Sequence, residues 1–183
     1  MTALDTTPNV RPCGAWSLAP EDNCASTQPH SLAQAVNAAA RAVDERSLAP
    51  ATRSQAPLAF QPRSLLALLT FCYARQVYGS VEVEARLRRD LSLRQLCRNE
   101  IPDARTLRRF CSENREALEG CLKIALRFLA EQKVAQGILS RVNETHLAEE
   151  AGRRIVMAMF TDSMELDKDR PAEARMEISY LVA

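Results

Sequence analysis

From residue 62 onward, apolar side chains recur at the three-and-four spacing of amphipathic helices rather than the two-residue alternation of strands. Leu65, Leu66, Leu68, Leu69, Phe71 and Cys72 leave few polar positions between them. That density predicts a buried helix, with Pro62 in its first turn, where a missing N–H costs nothing. Residues 77–80, VYGS, end it, and Ser80 is the expected N-cap of a helix over about 81–90. There Val83 and Leu87 face inward, and Arg86, Arg88 and Arg89 face out. Ser92-Leu93-Arg94-Gln95 has the form of a capping box and opens a short helix to about Arg98. Residues 99–102, NEIP, make a turn, because the residue before a proline avoids helical angles.

Asp103 then caps a long helix. Leu107, Phe110, Cys111, Leu118, Cys121, Leu122, Ala125 and Leu129 run along it as one stripe to about Lys133. Gly120 within it costs about 1 kcal/mol relative to alanine, and Gly137 ends the pattern. A last helix spans about 144–160, with Leu147, Ala151, Ile155 and Ala158 inward. Glu149–Arg153 and Glu150–Arg154 add i,i+4 pairs in the favourable order.

The flanks read differently. Residues 1–30 are rich in Pro, Thr, Ser and Asn without periodicity, and are expected to be disordered. Ser31-Leu32-Ala33-Gln34 is a second capping box, opening a short helix to about Arg46. Residues 47–61 contain two prolines and read as a linker. The tail from Thr161 is acidic. Residues 176–182 alternate weakly and read as a strand or a docking segment. The expected class is all-α: a compact helical domain with a helix-turn-helix-like unit and one long helix, behind a disordered N-terminal flank. The expected divisions are a leader and linker over 1–57, the helical domain over 58–135, and a C-terminal helix and acidic tail over 136–183.

The net charge of +1 over 183 residues says nothing about partners, but its distribution does. Residues 62–127 carry 13 basic and 8 acidic groups, whereas 1–61 and 128–183 are net negative. Twelve of those 13 are arginine, whose fork can bond two phosphate or guanine acceptors at once. The six cysteines, at 13, 24, 72, 97, 111 and 121, show no CxxC spacing, and the histidines are His30 and His146. No zinc site is expected from that set, nor any cofactor. Cys72, Cys111 and Cys121 fall on apolar faces as small core residues. Cysteines on helices fit a reducing compartment. The N-terminus has no basic and apolar leader, and the apolar run over 65–73 is too short to span a bilayer. A soluble cytoplasmic protein is expected.

The candidate chemistry lies in residues 102–110, PDARTLRRF. A short helix, a four-residue turn with proline and a longer helix in succession have the form of a helix-turn-helix. At about 100° per residue, Arg105, Arg108, Arg109 and Ser112 share one arc, and Leu107, Phe110 and Cys111 take the opposite one. Helices that read the DNA major groove present their N-terminal turns in this way. Arg105, Arg108 and Arg109 are the candidates for groove or phosphate contact, and Arg86, Arg88 and Arg89 for backbone clamps. Tyr73, Tyr78 and Phe110 are expected in the core rather than stacked on bases, and His146 is expected to be exposed.

Several blocks in order carry a resemblance. They are residues 62–69 (PRSLLALL), Tyr73, Tyr78-Gly79-Ser80, residues 87–91 (LRRDL), Leu96-Cys97, and Pro102-Asp103 with Thr106, Leu107, Arg109 and Phe110. Over about residues 58–128 the chain resembles the N-terminal helical domain of bacterial insertion-sequence DDE transposases. The resemblance implies binding of DNA at transposon ends. Full transposases of this kind continue into a catalytic domain whose three carboxylates hold two metal ions. Here about fifty residues follow the match and read mostly as helix, so a truncated, non-catalytic DNA-binding protein is expected. Asp162 follows an apolar run and reads either as a metal-binding carboxylate at a strand end or as a solvated acid at a helix C-terminus. The ion pairs upstream favour the helix. Two alternatives remain open. One is a helical protein-interaction module, its basic face on an acidic partner and its long helix 103–133 a homodimer interface. The other is the DNA-binding subunit of a transposase whose catalytic subunit is separately encoded.

Overall fold

The computed structural model describes residues 31–50 and 60–168. The expectations for residues 1–30 and 176–182 lie outside them. The described residues are all-α: α1 (Leu32–Ala42), a 3₁₀ turn (Glu45–Ser47), α2 (Pro62–Ala74), α3 (Ser80–Arg89), α4 (Leu91–Leu96), α5 (Ala104–Glu113), α6 (Arg115–Ala135) and α7 (Glu144–Lys168). No β-strand occurs among them.

Helix α2 is the centre, as its unbroken apolar run requires. Pro62 stands in its first turn, and Leu65, Leu66, Leu68, Leu69 and Tyr73 are fully buried. It ends where Gln76 takes a left-handed φ of 63° and the Val77 N–H returns to the Cys72 carbonyl. Helix α1 opens with the expected capping box: Ser31 Oγ accepts from the Gln34 N–H, and Gln34 Oε1 from the Ser31 N–H. Val36, Ala39 and Ala40 of α1 bury against α2 and α6 in the same core as every other α-helix. The Arg63 guanidinium donates to the Val43 carbonyl at 2.9 Å just past the end of α1.

Helix α1 ends at Ala42 rather than near Arg46, giving way to the separate 3₁₀ turn. Four larger changes follow. Ser80 does not cap α3. It is the first helical residue, behind Gly79. Its acceptor comes from 82 residues away: Asp162 takes the Ser80 N–H and the Ser80 hydroxyl, both at 2.7 Å. Ser92 does not cap α4 either. Asp90 does, accepting from the Ser92 and Leu93 N–H groups, and left-handed backbone at Arg98 and Asn99 follows the helix. The long helix 103–133 is two helices, broken at Asn114 (φ −119°, ψ 30°). Buried Asn114 donates through Nδ2 to the Phe110 carbonyl at 3.0 Å, and its Oδ1 accepts the Ala49 N–H at 2.7 Å. Its amide thus serves the end of α5 and the segment after α1 together. Gly120 lies on the open side of α6, where an added Cβ would touch nothing.

The fourth change is in α7, which runs on to Lys168 rather than ending near residue 160. Leu147, Ala151, Ile155, Ala158 and Asp162 form its buried stripe. Arg154 pairs with Glu150 as expected, at 2.7 Å, and also donates to the Tyr73 and Ala74 carbonyls at 3.0 and 2.8 Å, capping the C-terminus of α2. Arg153 pairs with Glu150 at 3.1 Å, three residues back, rather than with Glu149. Where α7 passes α3 the fit is close: a Cβ on Gly79 would stand 2.5 Å from Glu165 Oε1.

Candidate nucleic-acid interface

The short helix α4, a turn and α5 follow one another in the expected order, but α4 ends at Leu96 rather than near Arg98, so the turn spans residues 97–103 rather than the four residues 99–102. Asp103 caps α5 by accepting the Thr106 N–H at 2.9 Å. Leu107, Phe110 and Cys111 anchor α5 in the core, and Thr106 is buried with them. A second carboxylate joins the cap: Glu84 of α3 accepts the Ala104 N–H at 2.8 Å. Two acids therefore already serve the N-terminus of α5, and an incoming phosphate would be repelled there. Contact with an anion falls to the arginine side chains further along.

Arg105, Arg109 and Ser112 are exposed on one arc of α5, as expected. Arg109 Nε is paired with Glu113 at 2.7 Å, and Arg105 makes no hydrogen bond or ion pair among the described residues. Arg108 departs from that arc. It is half-buried, its Nε is enclosed without an acceptor, and its charge acts on Asp162. The helical step accounts for this. Arg108 projects about 60° from Arg105, toward buried Ala104 and Cys111 and thus toward α7. It belongs to the packing between α5 and α7 rather than to an open basic face.

On α3, Val83 and Leu87 are buried and Arg86, Arg88 and Arg89 are exposed, as expected. Arg86 pairs with Glu82 at 2.6 Å and Arg88 with Glu84 at 2.5 Å, whereas Arg89 has no partner among the described residues. Such exposed pairs contribute at most about 1 kcal/mol, so a phosphate can displace them. Val81, Glu84, Ala85, Arg88 and Arg89 line a shallow recess on this side. Exposed Arg98, in the turn before α5, is a further cation without a side-chain partner among the described residues, and residue spacing did not single it out. Arg94 is unavailable, since it donates to the Leu87 and Arg88 carbonyls and caps the end of α3.

Asp162 is neither a solvated acid nor part of a strand. It is buried inside α7, where desolvation raises its pKa, while the two bonds from Ser80 and the charge of Arg108 oppose that rise. No group of three His, Cys, Asp or Glu side chains among the described residues could hold a metal ion. Tyr73 and Phe110 are core residues, and Tyr78 packs at its edge, 6.3 Å from the Tyr73 ring centre. His146 is exposed. Cys72, Cys97, Cys111 and Cys121 are buried free thiols, and burial pushes Cys72 and Cys97 up to about 12 and Cys121 to about 11. No described helix is long and apolar enough to cross a membrane.

Residues 26–113 match the family model described as Transposase domain (DUF772). The match takes in α1 to α5 and stops at Glu113, the residue before the Asn114 joint. No match was found among curated proteins or among solved structures.

Proposed function

We propose that this chain, whose residues 26–113 match a transposase domain, is a non-catalytic DNA-binding protein of the transposase type, acting in the cytoplasm on transposon ends. The observation that carries the reading is an open set of arginines on α5 and α3, beside a helix-turn-helix-like unit, within the matched span. Arg105 and Arg109 would enter the groove or grip its phosphates. Arg89, Arg88 and Arg86 would clamp the backbone on the α3 side. Arg108 serves as a positioning residue that holds α5 against α7. The acids that cap α5 restrict binding to ligands that the arginines can reach beyond them. Among the described carboxylates, Asp90, Asp103 and Asp162 accept from backbone N–H groups, and Glu82, Glu84 and Glu113 pair with arginines.

Fluorescence anisotropy of the full chain on duplex DNA, titrated from low to high salt, tests the reading. Each phosphate contact contributes about −0.9 to the slope of log K against log salt. Arg105→Ala is expected to weaken binding and flatten the slope by about one contact. Arg141→Ala, at an exposed arginine before α7, should leave the line unchanged. No DNA binding at low salt, or identical lines for wild type and Arg105→Ala, would overturn it. Nicking or joining of DNA in Mg²⁺ by the purified protein would overturn the non-catalytic part.

A further inference from the structure

Six of the twelve large hydrophobic side chains exposed among the described residues lie on α7: Val156, Met157, Met159, Phe160, Met164 and Leu166. Scattered single exposures are ordinary, but a clustered set marks an interaction surface. Val156, Met157, Phe160 and Met164 fall within an arc of about 120°, centred opposite the buried stripe of Leu147, Ala151, Ile155, Ala158 and Asp162. Phe160, at the middle, is 58% exposed. Arg153 and Asp167 lie on the same arc, one turn or so beyond the apolar residues at either end.

We propose that this face pairs with α7 of a second copy of the chain, antiparallel, about a two-fold axis at Phe160. The argument is the order of charges. In an antiparallel pair centred on Phe160, position i meets position 320 − i of the partner. Phe160 then meets its own copy, Val156 meets Met164, and Arg153 meets Asp167. A two-fold contact requires a patch complementary to itself, and this one is, in apolar character and in charge alike. A parallel pair would instead set Arg153 against Arg153 and Asp167 against Asp167, so the charges choose the antiparallel orientation. Residues 153, 156, 160, 163 and 167 also follow the alternating three-and-four spacing of a helix–helix seam. Arg153 can turn to a partner at little cost, because its bond to Glu150 is exposed.

The opposite side of α7 holds α3 through Asp162 and packs on α5. If the DNA reading of those helices holds, the dimer presents two basic faces related by the two-fold, suited to an inverted repeat. The dimer itself does not depend on that reading.

Sedimentation equilibrium of the full chain without DNA tests the proposal. The expected mass is twice 20.4 kDa. Phe160→Asp should give the monomer with unchanged helix content by circular dichroism. Arg153→Asp should weaken the dimer at least tenfold, and adding Asp167→Arg to it should restore dimerisation. A monomeric wild type, a dimeric Phe160→Asp, or a double variant no better than Arg153→Asp would each overturn the proposal. So would a monomer that dimerises only once residues 170–183 are deleted, since that places the chain's own tail on this face. Loss of DNA binding with the dimer intact would count against the DNA reading and leave this one standing.

Discussion

Asp162 shows how one side chain can carry structure between distant parts of a chain. Its two oxygens take the backbone N–H and the hydroxyl of Ser80, so the start of α3 is held by a residue from α7. Asp162→Ala strands both donors in a buried place, where an unmet donor costs about 1–3 kcal/mol. The expected loss is about 2–3 kcal/mol in urea unfolding. Asp162→Asn keeps an acceptor and removes the buried charge, so it should cost less. Their pH dependence follows from the raised pKa of Asp162. The folded state keeps this proton to a higher pH than the unfolded chain does, so ionisation favours unfolding. The stability of wild type relative to Asp162→Asn should therefore fall as pH rises from the ordinary aspartate value, 3.8, through the folded value, and level off above it. A difference that instead grows with pH across that window would contradict the burial argument. Nothing in the residues around Asp162 announces this role. An acid after an apolar run looks the same whether it is solvated or bonded to a serine 82 positions earlier.

At the scale of elements, most of what is local was legible, the cap of α4 at Asp90 rather than Ser92 excepted, and what is long-range was not. The capping box at Ser31 and Gln34, the cap at Asp103, the proline start of α2 and the inward pairs Val83–Leu87 and Leu107–Phe110 depend on neighbours within a turn, and all stand as read. The caps of α3 and the second cap of α5 come from other helices, so spacing along the chain could not reveal them. The candidate site divides along the same line. Arg105, Arg109, Arg86, Arg88 and Arg89 are exposed as their periodicity required, whereas Arg108 was drawn inward by α7, which no helical wheel of α5 includes. The break at Asn114 was hidden for a related reason. The apolar stripe passes through it almost unperturbed, and the amide at the break bonds to Ala49, a residue far back in the chain. Asn114→Ala loses both bonds of that amide and strands the Ala49 N–H, while the Phe110 carbonyl keeps its bond from the backbone N–H of residue 114. Urea unfolding should show a loss of about 1–3 kcal/mol, with DNA affinity reduced as α5 tilts toward the axis of α6. Unchanged stability would mean that the helices turn there for another reason.

For the whole molecule, the arrangement of the core decides how small the working unit can be. Residues 58–135 look sufficient from the arginine pattern, since they contain α2 to α6 and every candidate contact. The buried surfaces say otherwise. Val36, Ala39 and Ala40 of α1 cover one side of α2 and α6, and Leu147, Ala151, Ile155 and Ala158 of α7 cover another. Removing both would expose the sides of the most apolar helix in the chain and take away the Arg154 bonds to the end of α2 and the Asp162 bonds to the start of α3. Each large buried apolar side chain contributes about 1.5–3 kcal/mol on burial, and a small domain is stable by only about 5–15 kcal/mol in total. Losing Val36, Leu147 and Ile155, together with the cover they give α2 and α6, is comparable with that margin. The fragment 58–135 is therefore expected to melt without a cooperative transition and to bind a hydrophobic dye, whereas residues 31–168 unfold in one step. Thermal circular dichroism of the two fragments decides it. A cooperative melt of 58–135 would show that α2 to α6 fold alone, with α1 and α7 merely resting on a finished core.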